Sequence, residues 1–257
     1  MKRDGMWRRD FNLSALAVGL TGLLGLRSAW SQNNVISSRG EGMEGDVIGT
    51  EPRRRRPPVN NAVPPPGSAP VATILVVGDS LSAEYGITRG KGWVALLSAK
   101  LRAERPDVSV MNASISGDTT AGGRARLPAL LSQVRPVLVV IELGGNDALR
   151  GLDLASTQKN LEAMIQASQE VNARVVLVGM QIPPNYGPDY STQFSVMFHQ
   201  VAKRNNISLV PFFLKGIADV PDAVNQFQPD RIHPREEAHP RMLGNVWPDI
   251  KKNLQGH

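Results

Sequence analysis

From residue 71 to the C-terminus, apolar runs of strand length alternate with longer amphipathic stretches, and this alternation predicts the fold class. Residues 72–77 and 137–143 are nearly continuous apolar, β-branched runs, the pattern of strands buried on both faces. Residues 108–112, 174–180 and 207–211 give three more strands. Between them, Trp93, Leu96, Leu97 and Leu101 recur at helical spacing and predict a helix over 93–105. Further helices are expected over 121–133 (bent near Pro128), 157–171, 190–204 and 238–254. Strands alternating with helices specify an α/β domain whose parallel sheet is covered on both faces. Right-handed crossovers then bring every strand's carboxyl end to one edge.

The chain before this pattern reads differently. Lys2, Arg3, Arg8 and Arg9 form a basic start, residues 11–26 carry no charge, and Ala29-Trp30-Ser31 offers small residues where a signal peptidase reads. A spanning helix needs roughly 20 apolar residues, so residues 1–31 are read as an export signal and the protein as periplasmic or secreted. Arg8-Arg9-Asp10-Phe11 resembles the twin-arginine signature; the alternative is an ordinary secretory signal. Residues 32–70 are rich in proline, with four arginines at 53–56, and bury too little apolar surface to offset their ordering entropy. They are expected to form a mobile tether to a folded domain at 71–257.

Charge narrows the partners. The net charge is +6, of which residues 1–70 hold +4 and residues 71–257 only +2. The domain carries no basic block with interleaved aromatics, so nucleic acid is excluded as a partner. The arginine run allows at most a transient contact with a membrane surface. The chain has no cysteine, hence no disulfide and no lipid-anchored cysteine, which is permissive for an exported protein.

Chemistry gathers at the predicted strand ends. The first strand runs into Gly78-Asp79-Ser80-Leu81, the second into residues 112–118, the third into Gly144-Gly145-Asn146-Asp147. The last is followed by the loop Gln228-Pro229-Asp230-Arg231-Ile232-His233-Pro234. Singly these are ordinary turn sequences, and Ser80 alone would be read as a helix cap. Together they supply an acyl-transfer site. Ser80 is the nucleophile, His233 the base that activates it, and Asp230 the acid that orients His233. The Ser80 and Gly117 backbone N–H groups and the Asn146 amide are the expected oxyanion donors. The Gly-x-Ser-x-Gly elbow of the α/β-hydrolases is absent.

These blocks, with Pro184-Asn185-Tyr186-Gly187, resemble the GDSL/SGNH hydrolases over residues 73–254, and in particular their bacterial thioesterase, arylesterase and lysophospholipase branch. The resemblance implies a flavodoxin-like three-layer α/β/α sandwich with about five parallel strands and a serine-histidine-aspartate mechanism. The expected substrate is a small acyl ester, thioester or lysophospholipid-type ester, with no metal or organic cofactor, and the protein is expected to be a monomer. Asn185 and Tyr186 either line the acyl pocket or form a turn between prolines. Leu81, Leu149 and Ile232 flank the catalytic positions and either touch an acyl chain or pack the rim. The tether has no counterpart in the family pattern, and Glu84 and residues 88–92 lie where specificity can diverge. Other readings are a carbohydrate O-acyl esterase of the same fold and a non-catalytic exported binding module. Asp147 is expected to brace its loop, Asp118 and Thr119 to cap the next helix. Glu236, Glu237 and His239 are expected to begin the last helix in solvent rather than bind metal, and His199 and His257 to play no part.

Overall fold

The computed structural model describes residues 72–182 and 184–255; the expected export signal and tether lie outside the described residues. Five parallel strands make one sheet in the order β2-β1-β3-β4-β5. They are β1 (Ala72–Gly78), β2 (Val108–Asn112), β3 (Leu138–Glu142), β4 (Arg174–Val178) and β5 (Ser208–Val210). Every residue of β3 is buried, as are Ile74, Leu75, Val76 and Val77 of β1, which is why these two strands read as unbroken apolar runs.

Among the described residues there are six α-helices: α1 (Trp93–Glu104), α2 (Thr120–Val134), α3 (Gly145–Leu149), α4 (Leu154–Glu170), α5 (Pro188–Asn205) and α6 (His239–Leu254). Helix α1 packs with α6, while α4 packs between α2 and α5, completing a three-layer α/β sandwich. The cap chemistry is local. Thr119 accepts from the Gly122 N–H to start α2, Asp153 accepts from the Ser156 N–H to start α4, and Pro188 opens α5 with its φ already set for a helix. Arg135 and Asn206 end α2 and α5 in the left-handed region, at φ 49° and 50°.

All five predicted strands and five predicted helices are present, with ends shifted by up to three residues. Helix α2 runs unbroken through Pro128. Two expectations differ. Gly145, Asn146 and Asp147 of the expected loop 144–147 instead open the five-residue α3, too short to show periodicity. His239 is not at a solvated helix start: it is 3% exposed, and its Nδ1 accepts the Trp93 N–H at 3.1 Å, capping α1 from α6. Two amphipathic helices that bury facing stripes bring their ends together, and a helix terminus buried there needs an acceptor.

Candidate active site

The sheet order places the ends of β2, β1 and β3 side by side, with β1 in the middle. Beyond β1 the chain does not enter a helix but coils in tight turns, held by the Leu81 N–H donating to Asp79 Oδ1 at 3.0 Å and the Ala83 N–H to the Asp79 carbonyl at 2.9 Å. Ser80 is thereby turned toward the rim and half-buried. It is no helix cap, since α1 begins only at Trp93.

The loop from Phe227 to Pro234 closes on itself through a bridge between those two residues and a 2.8 Å bond from the Gln228 N–H to the His233 carbonyl. Within it Asp230 Oδ1 accepts the Ile232 and His233 N–H groups at 2.9 and 3.0 Å, while Oδ2 lies 2.7 Å from His233 Nδ1. His233 Nε2 lies 2.9 Å from Ser80 Oγ. Partial burial pushes the Asp230 carboxyl up, but the His233 and Ile232 N–H groups and the imidazole together hold it below its ordinary value.

The three expected oxyanion donors arise on adjacent strand ends. Among the described residues, the Ser80 and Gly117 N–H groups donate to no protein acceptor. Gly117 sits at φ +78°, a conformation that favours glycine. Asn146, on the first turn of α3, gives one amide N–H to Asp79 Oδ2 at 3.0 Å. That bond fixes the amide plane. Asp147 is 2% exposed and accepts the Thr120 N–H and the hydroxyls of Thr120 and Thr157, so it joins α3 to α2 and α4. The loop after Gly117 is held by Arg126, which donates to Asp118 at 2.8 Å and to the Ala113 carbonyl.

Behind Ser80 lies a buried acidic pair, Asp79 and Glu142, that no sequence motif announces. Glu142, at the end of β3, is 2% exposed and accepts from Ser82 Oγ at 2.6 Å and the Asp79 N–H at 3.3 Å. Ser82 Oγ in turn accepts the Trp93 indole N–H at 3.1 Å. Burial, then the neighbouring Asp79, raise the Glu142 carboxyl well above its ordinary value. Burial raises Asp79 to about 6, against the Leu81 N–H, His233 and Asn146, which favour its ionised form. A side chain at Gly78 would meet Glu142 Oε2 and Ser82 Oγ at 2.7 Å, so this network requires glycine there. The only sequence signal was a lone acid ending an otherwise apolar strand.

The expected substrate contacts divide. Leu81 is 9% exposed and belongs to the core, which favours packing, while Leu149 is half-buried at the end of α3. Asn185 and Tyr186 form a short 3₁₀ turn and are exposed, as is Ile232. Ile115 and Leu152, on the loops after β2 and α3, are also exposed and were not singled out from sequence.

With this geometry established, comparison identifies its class. Residues 76–241 match the GDSL-like Lipase/Acylhydrolase family, and the chain belongs to that family. Esterase TesA of Pseudomonas aeruginosa is 53% identical over 186 residues, covering 72% of this chain and 91% of that protein. The crystal structure of TesA superposes with a TM-score of 0.68 over 71% of this chain and 99% of that one. Thioesterase 1/protease 1/lysophospholipase L1 of Escherichia coli is 42% identical, covering 67% of this chain and 80% of that protein. The esterase EstA from Pseudoalteromonas sp., in a structure inhibited by monoethylphosphonate, is 44% identical with a TM-score of 0.66, over 72% of this chain and 99% of that one. The protein is a carboxylic ester hydrolase.

Proposed function

We propose that the protein hydrolyses small acyl esters and thioesters through an acyl-Ser80 intermediate, and that it does so after export. The observation that carries this reading is the continuous chain from Ser80 Oγ to His233 Nε2 and from His233 Nδ1 to Asp230 Oδ2, at 2.9 and 2.7 Å. His233 takes the Ser80 proton as Oγ bonds to the substrate carbonyl carbon. The carbonyl oxygen becomes an oxyanion, and the Ser80 and Gly117 N–H groups and the free Asn146 amide N–H donate to it. His233 then protonates the departing alkoxide or thiolate as its bond to carbon breaks. A water repeats the sequence against the acyl-serine, giving its proton to His233, which returns one to Ser80. Asp230 holds the imidazole so that Nε2 faces Ser80, and stabilises the imidazolium between the two transfers. The names of the relatives, which span esterase, arylesterase, thioesterase and lysophospholipase, support a substrate defined by its acyl group more than by its leaving group.

The test is labelling with a fluorophosphonate. Wild-type protein is expected to form one adduct, mapped to Ser80 by mass spectrometry, and Ser80→Ala to form none and to lose ester hydrolysis while remaining folded. Undiminished hydrolysis of p-nitrophenyl esters by purified Ser80→Ala would overturn the proposal. Replacing Asn146 by Ala is expected to lower kcat by about 10²–10³-fold with little change in KM. A rate series on p-nitrophenyl esters of increasing length, with an acyl-thioester and a lysophospholipid alongside, locates the preferred acyl group.

A further inference from the structure

Tyr85 is the residue whose placement none of this uses. Its side chain is left 50% exposed, yet its ring centroid lies 4.3 Å from that of His233, with the planes at 39°. We propose that Tyr85 and Gln228 act as a pair of positioning residues that hold the His233 imidazole in line with Ser80. This rests on the proposed role of His233 as the base.

Three observations support the pairing. The Gln228 amide nitrogen donates to the Tyr85 carbonyl at 2.9 Å and to the Pro234 carbonyl at 3.1 Å, so both its N–H groups are used and two loops are joined. The Gln228 backbone holds the base loop as well, donating to the His233 carbonyl at 2.8 Å and accepting from the Arg231 N–H at 2.9 Å. Finally, Gly86 has φ +70°, and a Cβ on it would collide with Gln228 Oε1. The glutamine amide therefore lies flush against the backbone that presents Tyr85.

The chemistry requires such a brace. Asp230 fixes His233 at Nδ1, but a ring held at one edge can still swing its other nitrogen out of line. His233 Nε2 must accept a proton from Ser80 and then deliver it to a leaving group in a different place, so its excursion has to be small. An aromatic face against the imidazole limits that swing. The same face also attracts the imidazolium as it forms, through the ring quadrupole.

The experiment compares single turnover and steady state in Tyr85→Ala, Tyr85→Phe, Gln228→Glu and the double variant Tyr85→Ala/Gln228→Glu. Wild-type labelling at Ser80 is read first; its failure would remove the base role itself and is separate from the outcomes below. Tyr85→Ala is expected to lower kcat and the rate of fluorophosphonate labelling together, by about 10–100-fold, with KM within about threefold. Tyr85→Phe should recover most of the loss, because the ring and not the hydroxyl makes the contact. Gln228→Glu keeps the side-chain shape but removes the two donors, and should give a comparable loss. The double variant should be no worse than the poorer single, since the two act as one unit. The proposal is overturned if Tyr85→Ala leaves kcat unchanged, or raises KM and reorders acyl-length preference as a pocket wall would. Additive losses would also overturn it. Gln228→Glu carries the same test alone if Tyr85→Ala fails to fold.

Discussion

At the scale of single residues, ionisable groups have been placed where water is scarce, and that has pH consequences. Asp79 is raised to about 6 by burial, above the ordinary 3.8, so the native state binds a proton more tightly than the unfolded chain. Its contribution to stability is therefore fully present below pH 3.8 and is lost as pH rises through about 6. Asp79→Asn is expected to flatten urea midpoints across that window, relative to wild type. It should also lower kcat, because an amide has one acceptor oxygen where the Asp79 carboxylate accepts at both, from the Leu81 N–H and from Asn146. His239 has the opposite sign. Burial lowers it from 6.5, against Glu84 and Glu236, so the unfolded chain takes up the proton first. The stability due to neutral His239 is intact above pH 6.5 and falls away below it. His239→Asn offers an acceptor near the position of Nδ1 without a titration. Between about pH 7.5 and about pH 5.5, wild-type midpoints should drop relative to this variant.

At the scale of elements, the site depends on how helix starts are pinned. Thr119 caps α2 through an ordinary, half-buried bond, and Thr119→Ala should cost about 1 kcal/mol. Asp147 is buried under α3 and serves α2 and α4 as well, so Asp147→Ala leaves several polar groups unpaired at once. A loss of about 3 kcal/mol is expected in thermal or urea melts. Because Asn146 stands on the same helical turn, activity should fall along with stability. The long elements were legible from sequence because each buries a stripe or face wide enough to leave a period. Helix α3 left none. The buried partners of Glu142 and His239 were also hidden, because each joins residues 60 or more positions apart: Ser82 with Glu142, Trp93 with His239. Ser80, Asp230, His233, Gly117 and Asn146 stand out as candidates because their loops carry several polar, turn-forming residues in a fixed order. That Tyr85 would meet His233, 148 positions away, could not be read; nothing local to either residue announces it.

At the scale of the whole molecule, the core of the described residues runs from Ile74 to Leu254, β1 through α6. A chain beginning at residue 71 is expected to keep its melting temperature and most of its activity on small soluble esters. Loss of both on that truncation would show that residues 1–70 belong to the fold. The Asp230 carboxylate folds its own loop with one oxygen and holds His233 with the other, inside four consecutive residues. Asp230 and His233, the proposed acid and base, are thus paired within one self-templated cassette. The tertiary structure then delivers this preassembled unit to within reach of Ser80 and seats Tyr85 against its imidazole.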